Sequence, residues 1–442
     1  MTIKADYDRM LWLAKEGLPL KRIKRRLTLM PEGTNEEIEL FDESRPGLIG
    51  VPREWAYARE LDLKLRDMTF NRPRVWPQFK GSWREGQEQS VKSLLSHFRM
   101  GCYGGLLEAK CGSGKTVMGT AVAAQMNTPT LVVVPKTDLA QQWKDTAQDF
   151  FGASVGNVCQ DEWDYKGHHM VTASAQTLWA RRESIPVGFW ETFGMLIYDE
   201  CHRFPCKTFS IALSSPCARY RLGVSATFRR KDGMDEVWTH HIGPVVHTTK
   251  VKSLPAEYVQ IPWQTHLRDS QFKLHGGGIN HSKWVTTISE DAAYTHWLVS
   301  QILTSASAGR HTLVCSHRTD QLATIRRMLE TQGFTDVGYY AGKVEGRTIK
   351  AAELEESKSK KIVLATFNKM AEGTDIPSLD TLFLATPAGD IEQVVGRIQR
   401  KDSGKKNLLI IDPVWNTRYM KALGNKRLRF YNSQNFKDQA NG

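Results

Sequence analysis

The feature that most constrains the fold is a series of short, continuous apolar runs that alternate with helix-like stretches. The runs lie at residues 106–109, 130–134, 170–173, 195–198 and 222–224, and a second series follows at 312–315, 362–365, 381–384 and 408–411. Short apolar runs separated by helices are typical of parallel strands that are buried on both faces. The sequence therefore predicts an α/β protein with two parallel-sheet domains, at residues 81–250 and 251–442.

The first 80 residues lack this pattern and predict a small α+β domain. We expect a helix at 7–14, short strands at 27–30, 38–41 and 48–51, and a further helix that starts at Pro52, where proline suits a first turn. The segment 228–310 is the least regular, and we interpret it as a linker followed by an insertion at about 264–288.

Composition and charge exclude several classes of protein. The chain has 442 residues, of which 40% are hydrophobic and 24% charged, so it is globular rather than disordered. Its apolar runs are far shorter than the roughly 18 residues that span a membrane, and its first residues lack the apolar core of a secretory signal. Seven cysteines without CxxC spacing predict reduced thiols and a cytoplasmic protein. A formal net charge of +12 favours a polyanionic partner.

A glycine-rich segment, Ala109-Lys-Cys-Gly-Ser-Gly-Lys-Thr116, stands between a predicted strand and a predicted helix. Glycines let the backbone N–H groups turn toward phosphate oxygens, and the helix N-terminus adds positive charge. Lys115 can reach the β- and γ-phosphates, and the Thr116 hydroxyl can ligate Mg²⁺. Although Ala109 replaces the first glycine of a strict P-loop, the context predicts an ATP phosphate site formed by Gly112, Ser113, Gly114, Lys115 and Thr116.

Two adjacent carboxylates, Asp199 and Glu200, follow the apolar run at 195–198. A buried strand that ends in carboxylates is the expected partner of a P-loop, because Mg²⁺ needs an oxygen ligand and hydrolysis needs an oriented water. We predict that Asp199 holds the Mg²⁺ and that Glu200 orients and deprotonates the water.

These two motifs, together with several others in the same order, resemble the DExH helicases and translocases of superfamily two. The resemblance covers about residues 81–412. Its other motifs are Arg84-Glu-Gly-Gln87, 134–143, 172–178, Ser225-Ala-Thr227, 313–318, 365–377 and Gln393-Val-Val-Gly-Arg397-Ile-Gln-Arg400. The resemblance implies two tandem RecA-like parallel-sheet domains, with Mg²⁺ and ATP as cofactors.

The resemblance also implies residue roles. Arg84 and Gln87 would read the adenine; Gly373 and Asp375 would add to the nucleotide site; Ser225 and Thr227 would couple hydrolysis to motion. Nucleic-acid contacts would come from Lys136, Thr137, Thr172, Gln176, Arg318 and Thr366, with strand-end capping or packing as the alternative for each. Gln393, Arg397 and Arg400 would act on the leaving γ-phosphate, and a helix would place the two arginines on one face. Because these arginines belong to the second domain, ATP would be completed only when the domains close.

The finer identity rests on Ser225-Ala-Thr-Phe-Arg-Arg-Lys-Asp-Gly233, which resembles the corresponding segment of repair and recombination DNA helicases. The short chain is similar to UvsW-like phage helicases, which implies unwinding or branch migration of forked and four-way DNA by a protein that needs to be no more than a monomer. An RNA-directed DExH ATPase is the alternative. Cys111 and Phe228 depart from the family pattern, but neither removes a catalytic charge. A strand-separating element is expected either in the N-terminal domain, with the basic run 21–26 and Trp12, Trp55 and Trp76, or at 264–288, with Phe272 and Trp284. The alternative is that the tryptophans belong to the core and that the basic run is a solvated face.

Overall fold

The computed structural model describes residues 3–30, 37–55, 62–110, 112–135, 137–159, 162–201, 212–228, 234–249, 254–371, 376–399 and 405–439. The chain divides into two compact units, Met1–Val251 and Lys252–Gly442. Each unit is built around one large sheet of mainly parallel strands. Residues 1–80 are part of the first unit and do not form a separate compact unit.

The N-terminal residues form a small mixed sheet with the strand order β5-β2-β1-β6. Its strands are β1 (Ile3–Tyr7), β2 (Leu11–Ala14), β5 (Leu48–Val51) and β6 (Leu63–Asp67), and a separate pair, β3 (Thr28–Leu29) and β4 (Ile38–Glu39), follows α1 (Leu20–Leu27). The prediction of a helix at 7–14 is wrong, because β1 and β2 form an antiparallel hairpin that pairs Ala5 with Leu13. Asp8 causes the reversal: its carboxylate accepts hydrogen bonds from the backbone N–H of Met10 and the indole of Trp12.

The helix predicted from Pro52 is not present where the chain is described. Residues 52–55 form a turn closed by the Trp55 N–H and the Pro52 carbonyl at 3.1 Å, and residues 56–61 lie outside the described residues. Trp12, Trp55 and Trp76, which were candidates for stacking on DNA, are all buried. Their rings belong to the hydrophobic core.

The large sheet of the first unit has eight strands in the order β10-β9-β11-β8-β12-β13-β7-β14, and only β10 pairs antiparallel. The strands are β7 (Gly104–Ala109), β8 (Thr130–Val134), β9 (Val155–Cys159), β10 (Glu162–Asp164), β11 (Met170–Ser174), β12 (Met195–Asp199), β13 (Tyr220–Ser225) and β14 (Val245–Thr249). The helices of this part are α2 (Gln87–Arg99), α3 (Lys115–Met126), α4 (Thr137–Phe151), α5 (Ala175–Ala180) and α6 (Glu236–His241), with a 3₁₀ turn at Trp190–Thr192. The apolar runs of the sequence thus become the buried strands they predict.

The sheet of the second unit has seven strands, all parallel, in the order β17-β20-β16-β21-β22-β15-β23. The strands of this unit, including the small hairpin β18–β19, are β15 (Ala256–Trp263), β16 (Thr312–Ser316), β17 (Val337–Tyr340), β18 (Lys343–Val344), β19 (Arg347–Thr348), β20 (Ile362–Thr366), β21 (Thr381–Leu384), β22 (Leu408–Trp415) and β23 (Lys437–Asp438). Its helices are α7 (His281–Ser289), α8 (Ala292–Ser307), α9 (Thr319–Thr331), α10 (Ala351–Ser357), α11 (Phe367–Ala371), α12 (Glu392–Ile398) and α13 (Arg418–Ser433), with a 3₁₀ turn at Asp269–Phe272.

The segment 228–310 is more regular than the sequence predicts. It contains α6, β14, β15, α7 and α8, and β15 pairs with β22 along its whole length. Phe272 and Trp284 are buried and stack on each other with ring centroids 4.0 Å apart. These two rings therefore fill the core of the second unit, which contradicts the expectation that they form an exposed wedge.

Two buried arginines connect the N-terminal sheet to the large sheet of the first unit. Arg221 of β13 donates to the backbone carbonyls of Arg9, Pro216 and His241 at 2.7–3.0 Å. Arg53 donates to the carbonyls of residues 218 and 219. Burial lowers the pKa of Arg221 to about 10, and the group is still charged at neutral pH. Carbonyl dipoles, rather than a carboxylate, solvate this charge.

The second unit contains a buried ion pair between β22 and α13. Arg427 donates to both carboxylate oxygens of Asp412 at 2.8–3.0 Å, and Gln260 and Tyr431 donate to the same carboxylate. Arg427 also donates to the Ala388 carbonyl, in the loop that leads to α12. Burial lowers the pKa of Arg427, but Asp412 raises it more, so the net pKa is above its usual value.

Arg427→Met is expected to lower the free energy of unfolding of the second unit by about 3–5 kcal/mol, because it leaves a buried carboxylate without its counter-charge. Urea denaturation followed by tryptophan fluorescence would measure the loss. Arg326→Met removes an exposed pair with Glu330 and should cost about 0.5 kcal/mol or less. Equal losses in the two variants would contradict the assignment.

Candidate nucleotide and nucleic-acid site

The nucleotide motifs meet at the carboxyl edge of three neighbouring strands. β12, β13 and β7 lie side by side, with Asp199 opposite Val224 and Ser225 opposite Glu108 in the register. Because all three strands run in the same direction, the P-loop, the Asp199–Glu200 pair and the Ser225–Thr227 turn leave the sheet at one edge. This is the edge at which open α/β sheets bind ligands.

The P-loop has the curled backbone that phosphate binding requires. Gly112 and Gly114 have φ angles of 81° and 85°, in the left-handed region that favours glycine, and α3 begins directly after them at Lys115. A Cβ atom on Gly114 would lie 2.2 Å from Nε2 of Gln87. Glycine is therefore favoured at position 114 by its conformation, and a Cβ there would also push the Gln87 amide away from the Ser113 carbonyl.

Gln87 joins the upstream motif to the P-loop. Its Oε1 accepts a hydrogen bond from the Arg84 backbone N–H at 2.9 Å, and its Nε2 donates to the Ser113 carbonyl at 2.8 Å. The side chain is buried, whereas Arg84 is exposed. These bonds fix the amide beside the P-loop; its contact with adenine stays a prediction.

The catalytic side chains of the first unit are in direct contact. Lys115 Nζ lies 2.9 Å from Glu200 Oε1, and both side chains are largely buried. Glu200 has a φ angle of 47°, a left-handed conformation that is uncommon and costly for a residue with a side chain. Strained backbone of this kind persists where the surrounding structure fixes it, and here it turns the carboxylate toward Lys115.

Asp199 is buried, and its Oδ2 accepts a hydrogen bond from the Trp143 indole at 2.9 Å. Burial, and secondly the charge of Glu200, raise the pKa of Asp199 to about 6, while Lys115 and the indole lower it. A cation beside this carboxylate would offset the same desolvation. Asp199 therefore fits a Mg²⁺ ligand.

Two hydroxyls complete the fit to Mg²⁺ and ATP. Ser113 Oγ is buried and has no hydrogen-bond partner among the described residues. An unsatisfied buried hydroxyl is unfavourable in the protein alone, and it suits a loop that encloses phosphate. Thr116 is in the first turn of α3, where a hydroxyl can ligate the cation as the sequence predicts. The donor set of this loop therefore fits Mg²⁺ and a nucleoside triphosphate.

Ser225 and Thr227 form a tight turn between the two nucleotide motifs. The Ser225 hydroxyl donates to the Thr227 carbonyl at 2.6 Å and accepts from its N–H at 3.3 Å. The turn follows β13, which separates β12 from β7 in the sheet. Its position beside both motifs is compatible with the predicted coupling role.

The second unit places Gln393 and Arg397 on α12, with Arg397 buried. The helix ends at Ile398, so the expectation that one helix carries both Arg397 and Arg400 is not supported. Arg400, Gly373 and Asp375 lie outside the described residues.

The predicted nucleic-acid contacts of the first unit differ in exposure. Thr137 and Gln176 are exposed, in the first turns of α4 and α5. Thr172 is fully buried in β11, and its hydroxyl donates to Asn157 at 3.1 Å. It is part of the sheet rather than of its surface, and here the structure contradicts the prediction of a contact. Lys136 lies outside the described residues.

In the second unit, both candidates make structural contacts. The Arg318 guanidinium donates to Thr286 and to the backbone carbonyl and hydroxyl of Ser282, all on α7. The Thr366 hydroxyl accepts from the Lys369 N–H at 3.3 Å at the start of α11. Both side chains are half-buried, so these contacts leave part of each exposed.

Sequence reasoning assigned no role to Trp143, although it ends a quoted motif. The feature that could have pointed to Trp143 is its position in α4, an amphipathic helix that follows a strand of the P-loop domain.

No helix in the described part of the chain combines the length and apolar character needed to span a bilayer. Among those same residues, no group of His, Cys, Asp and Glu is arranged as a metal cluster.

Several known proteins are similar to this chain in sequence. A family model described as type III restriction enzyme, res subunit, matches residues 80–230. A putative ATP-dependent RNA helicase of Acanthamoeba polyphaga mimivirus is 28% identical over 93% of this chain and 82% of its own length. The DNA 3'-5' translocase XPB2 of Sulfurisphaera tokodaii is 31% identical, over 40% of this chain and 38% of its own length.

Solved structures give the fold. The structure of S. cerevisiae Dbp5 bound to RNA and ADP BeF3 aligns with a TM-score of 0.52 and 14% identity, over 79% of this chain and 88% of that chain. The structure of T4 UvsW aligns over 99% of this chain and 98% of that chain, with a TM-score of 0.41 and 16% identity. The first alignment confirms the predicted fold class.

Fold and site together define a P-loop ATPase made of two tandem RecA-like domains with a small N-terminal α+β sheet. The chain is similar in its motifs to the helicases and translocases of superfamily two, and it is an ATP-dependent helicase or translocase, which is an NTPase.

Gly114→Ala is expected to weaken ATP binding at least tenfold, because the new Cβ would collide with Gln87 and displace the P-loop. Gly101→Ala is the matched control: its φ is 87°, but nothing lies within 4 Å of the added atom. Both variants should lose about 1–2 kcal/mol of stability from the left-handed alanine. Titration with a fluorescent ATP analogue measures the affinity, and equal affinity of the two variants would contradict the prediction.

Proposed function

We propose that this protein is an ATP-dependent DNA helicase that unwinds or branch-migrates forked and four-way DNA in recombination, repair or replication. The observation that best supports an ATP-driven motor activity is the contact between Lys115 and Glu200 at 2.9 Å, directly beside the buried Asp199. This arrangement brings a phosphate-binding cation, a candidate base and a candidate metal ligand to one edge of the sheet.

Each residue then has a definite task in hydrolysis. Thr116 and Asp199 would hold Mg²⁺, which would supply charge that polarises the phosphates when ATP is bound. Lys115 holds the β- and γ-phosphates, and Glu200 orients and deprotonates the attacking water. Gln393, Arg397 and Arg400 act on the departing γ-phosphate, where the permanent charge and planar fork of arginine suit the developing charge.

Contact with the nucleic-acid backbone suits a protein that moves along any sequence. Thr137 and Gln176 are exposed at the first turns of helices, where backbone N–H groups and short polar side chains can bind phosphates. Lys136, Arg318 and Thr366 complete the proposed set. The net charge of +12 favours the same polyanion.

The choice of DNA rests on the Ser225–Gly233 segment and on the relative that is named a DNA translocase. RNA is the second candidate, because the mimivirus relative that aligns with 93% of this chain is named an RNA helicase. The exposed contacts at Thr137 and Gln176 do not distinguish the two polymers.

The deciding experiment is ATP hydrolysis with single-stranded DNA, duplex DNA, a fork, a four-way junction and structured RNA, each added separately. Branched DNA is expected to stimulate turnover most, with strand displacement from the same substrates. Strongest stimulation by RNA would overturn the DNA assignment and leave the motor intact. Stimulation by neither polymer would contradict the proposal as a whole.

Glu200→Gln is expected to bind ATP and DNA within about threefold of the parent but to lower turnover by about 10²–10⁴, the usual contribution of a general base. The amide keeps the shape of the carboxylate and loses its basicity. Glu183→Gln, on the exposed surface of the same unit, is the control and should leave turnover unchanged. Near-parental turnover of Glu200→Gln would remove Glu200 from the water-orienting role.

A further inference from the structure

Trp143 is a fully buried side chain to which the proposed hydrolysis gives no task. Its indole N–H donates a hydrogen bond to Oδ2 of Asp199 at 2.9 Å. An indole has one donor and no acceptor, so this bond uses its whole hydrogen-bonding capacity. Trp143 belongs to α4, whereas Asp199 ends β12, and the bond therefore connects a helix to the candidate metal ligand.

The indole ring also packs against the helix that follows the P-loop. A Cβ on Gly119 of α3 would lie 2.7 Å from Cη2 and 3.2 Å from Cζ3 of the ring, and 3.7 Å from Ile197. Glycine at this position lets the ring approach α3 more closely than any other residue would. One side chain thus contacts both Asp199 and the helix that begins with Lys115 and Thr116.

The first turn of α4, the helix that contains Trp143, carries a proposed nucleic-acid contact. α4 starts at Thr137, which is exposed, and Trp143 follows six residues later, or about 9 Å along the helix axis. A helix is held by its own backbone hydrogen bonds, so a displacement at its first turn moves the residues of the next turns with it. The distance is short enough for one rigid element to connect the two positions.

We propose that Trp143 is a positioning residue that couples nucleic-acid binding at the start of α4 to Mg²⁺–ATP binding at Asp199. The inference rests on the proposed function, because it takes Thr137 as a nucleic-acid contact and Asp199 as a Mg²⁺ ligand. The indole holds one carboxylate oxygen, and a shift of α4 moves the indole and the carboxylate together. Because coupling is reciprocal, Mg²⁺–ATP then also strengthens nucleic-acid binding by the same factor.

The test is Trp143→Phe, which removes the N–H donor and keeps most of the apolar ring. The first readout is binding of a fluorescent ATP analogue titrated with Mg²⁺, and the variant should need about tenfold more Mg²⁺ for half-saturation, since hydrogen bonds to charged groups have roughly this effect or more. The second readout is the ratio of ATP turnover with and without single-stranded DNA, which should fall several-fold. DNA binding without nucleotide should be unchanged.

Trp76→Phe is the matched control. Trp76 is a buried tryptophan of the same hydrophobic cluster. Its indole donates to the Thr128 carbonyl, which precedes β8, and not to Asp199. Both variants lose a buried indole bond, so thermal unfolding should show similar destabilisation. Only Trp143→Phe should change the Mg²⁺ requirement and the DNA-stimulated ratio; equal changes in the two variants, or none in Trp143→Phe, would overturn the proposal.

Gly119→Ala is a second variant, for use if Trp143→Phe does not fold. It keeps the indole but pushes on the ring, and alanine is the better helix former. A smaller shift of the Mg²⁺ requirement in the same direction is expected, and no shift would count against the coupling. Measurements on the parent protein distinguish failure of the proposed function from failure of the coupling. Absence of DNA-stimulated ATPase in the parent refutes the proposed function. Normal stimulation both in the parent and in Trp143→Phe refutes only the coupling.

Discussion

The buried carboxylate of Asp199 is the group on which the arrangement of the first unit depends. A charge that is removed from water must be offset by neighbours, and Lys115 and the Trp143 indole provide this from two different helices. Their positions require α3 and α4 to pack on the sheet beside the ends of β12 and β7. The geometry of the catalytic site therefore depends on the packing of these two helices, because moving either helix would leave the Asp199 carboxylate poorly solvated.

The parts of this protein that could be predicted from sequence are those in which local and global preferences agree. The run at 130–134 is apolar at every position after its first threonine, and it becomes β8 with the same bounds because the strand is buried along its whole length. The P-loop was predictable for a similar reason. The glycines at 112 and 114, the lysine and the threonine each satisfy a separate requirement of phosphate binding, so together they allow few other interpretations.

The wrong predictions fall where a specific side-chain contact or strand pairing overrides the pattern of residue types. Residues 7–14 have apolar residues at helical spacing, but the Asp8 carboxylate reverses the chain and pairing between β1 and β2 decides the structure. Thr172 matches a family motif, yet its hydroxyl faces Asn157 on a neighbouring strand. The aromatic residues at 264–288 suggest an exposed stacking surface, but Phe272 and Trp284 cover each other. In each case, a specific contact decides the structure, and the pattern of residue types alone does not specify that contact.

The bond between Arg221 and the Arg9 carbonyl joins positions separated by 212 residues. During synthesis, the N-terminal sheet leaves the ribosome long before β13 exists, and at 5–20 residues per second the delay is roughly 10–40 s. For that period the Arg9 carbonyl lacks the guanidinium that later donates to it. The order of synthesis therefore makes this contact one of the last that the N-terminal sheet acquires, because it can form only after Arg221 has been added to the chain.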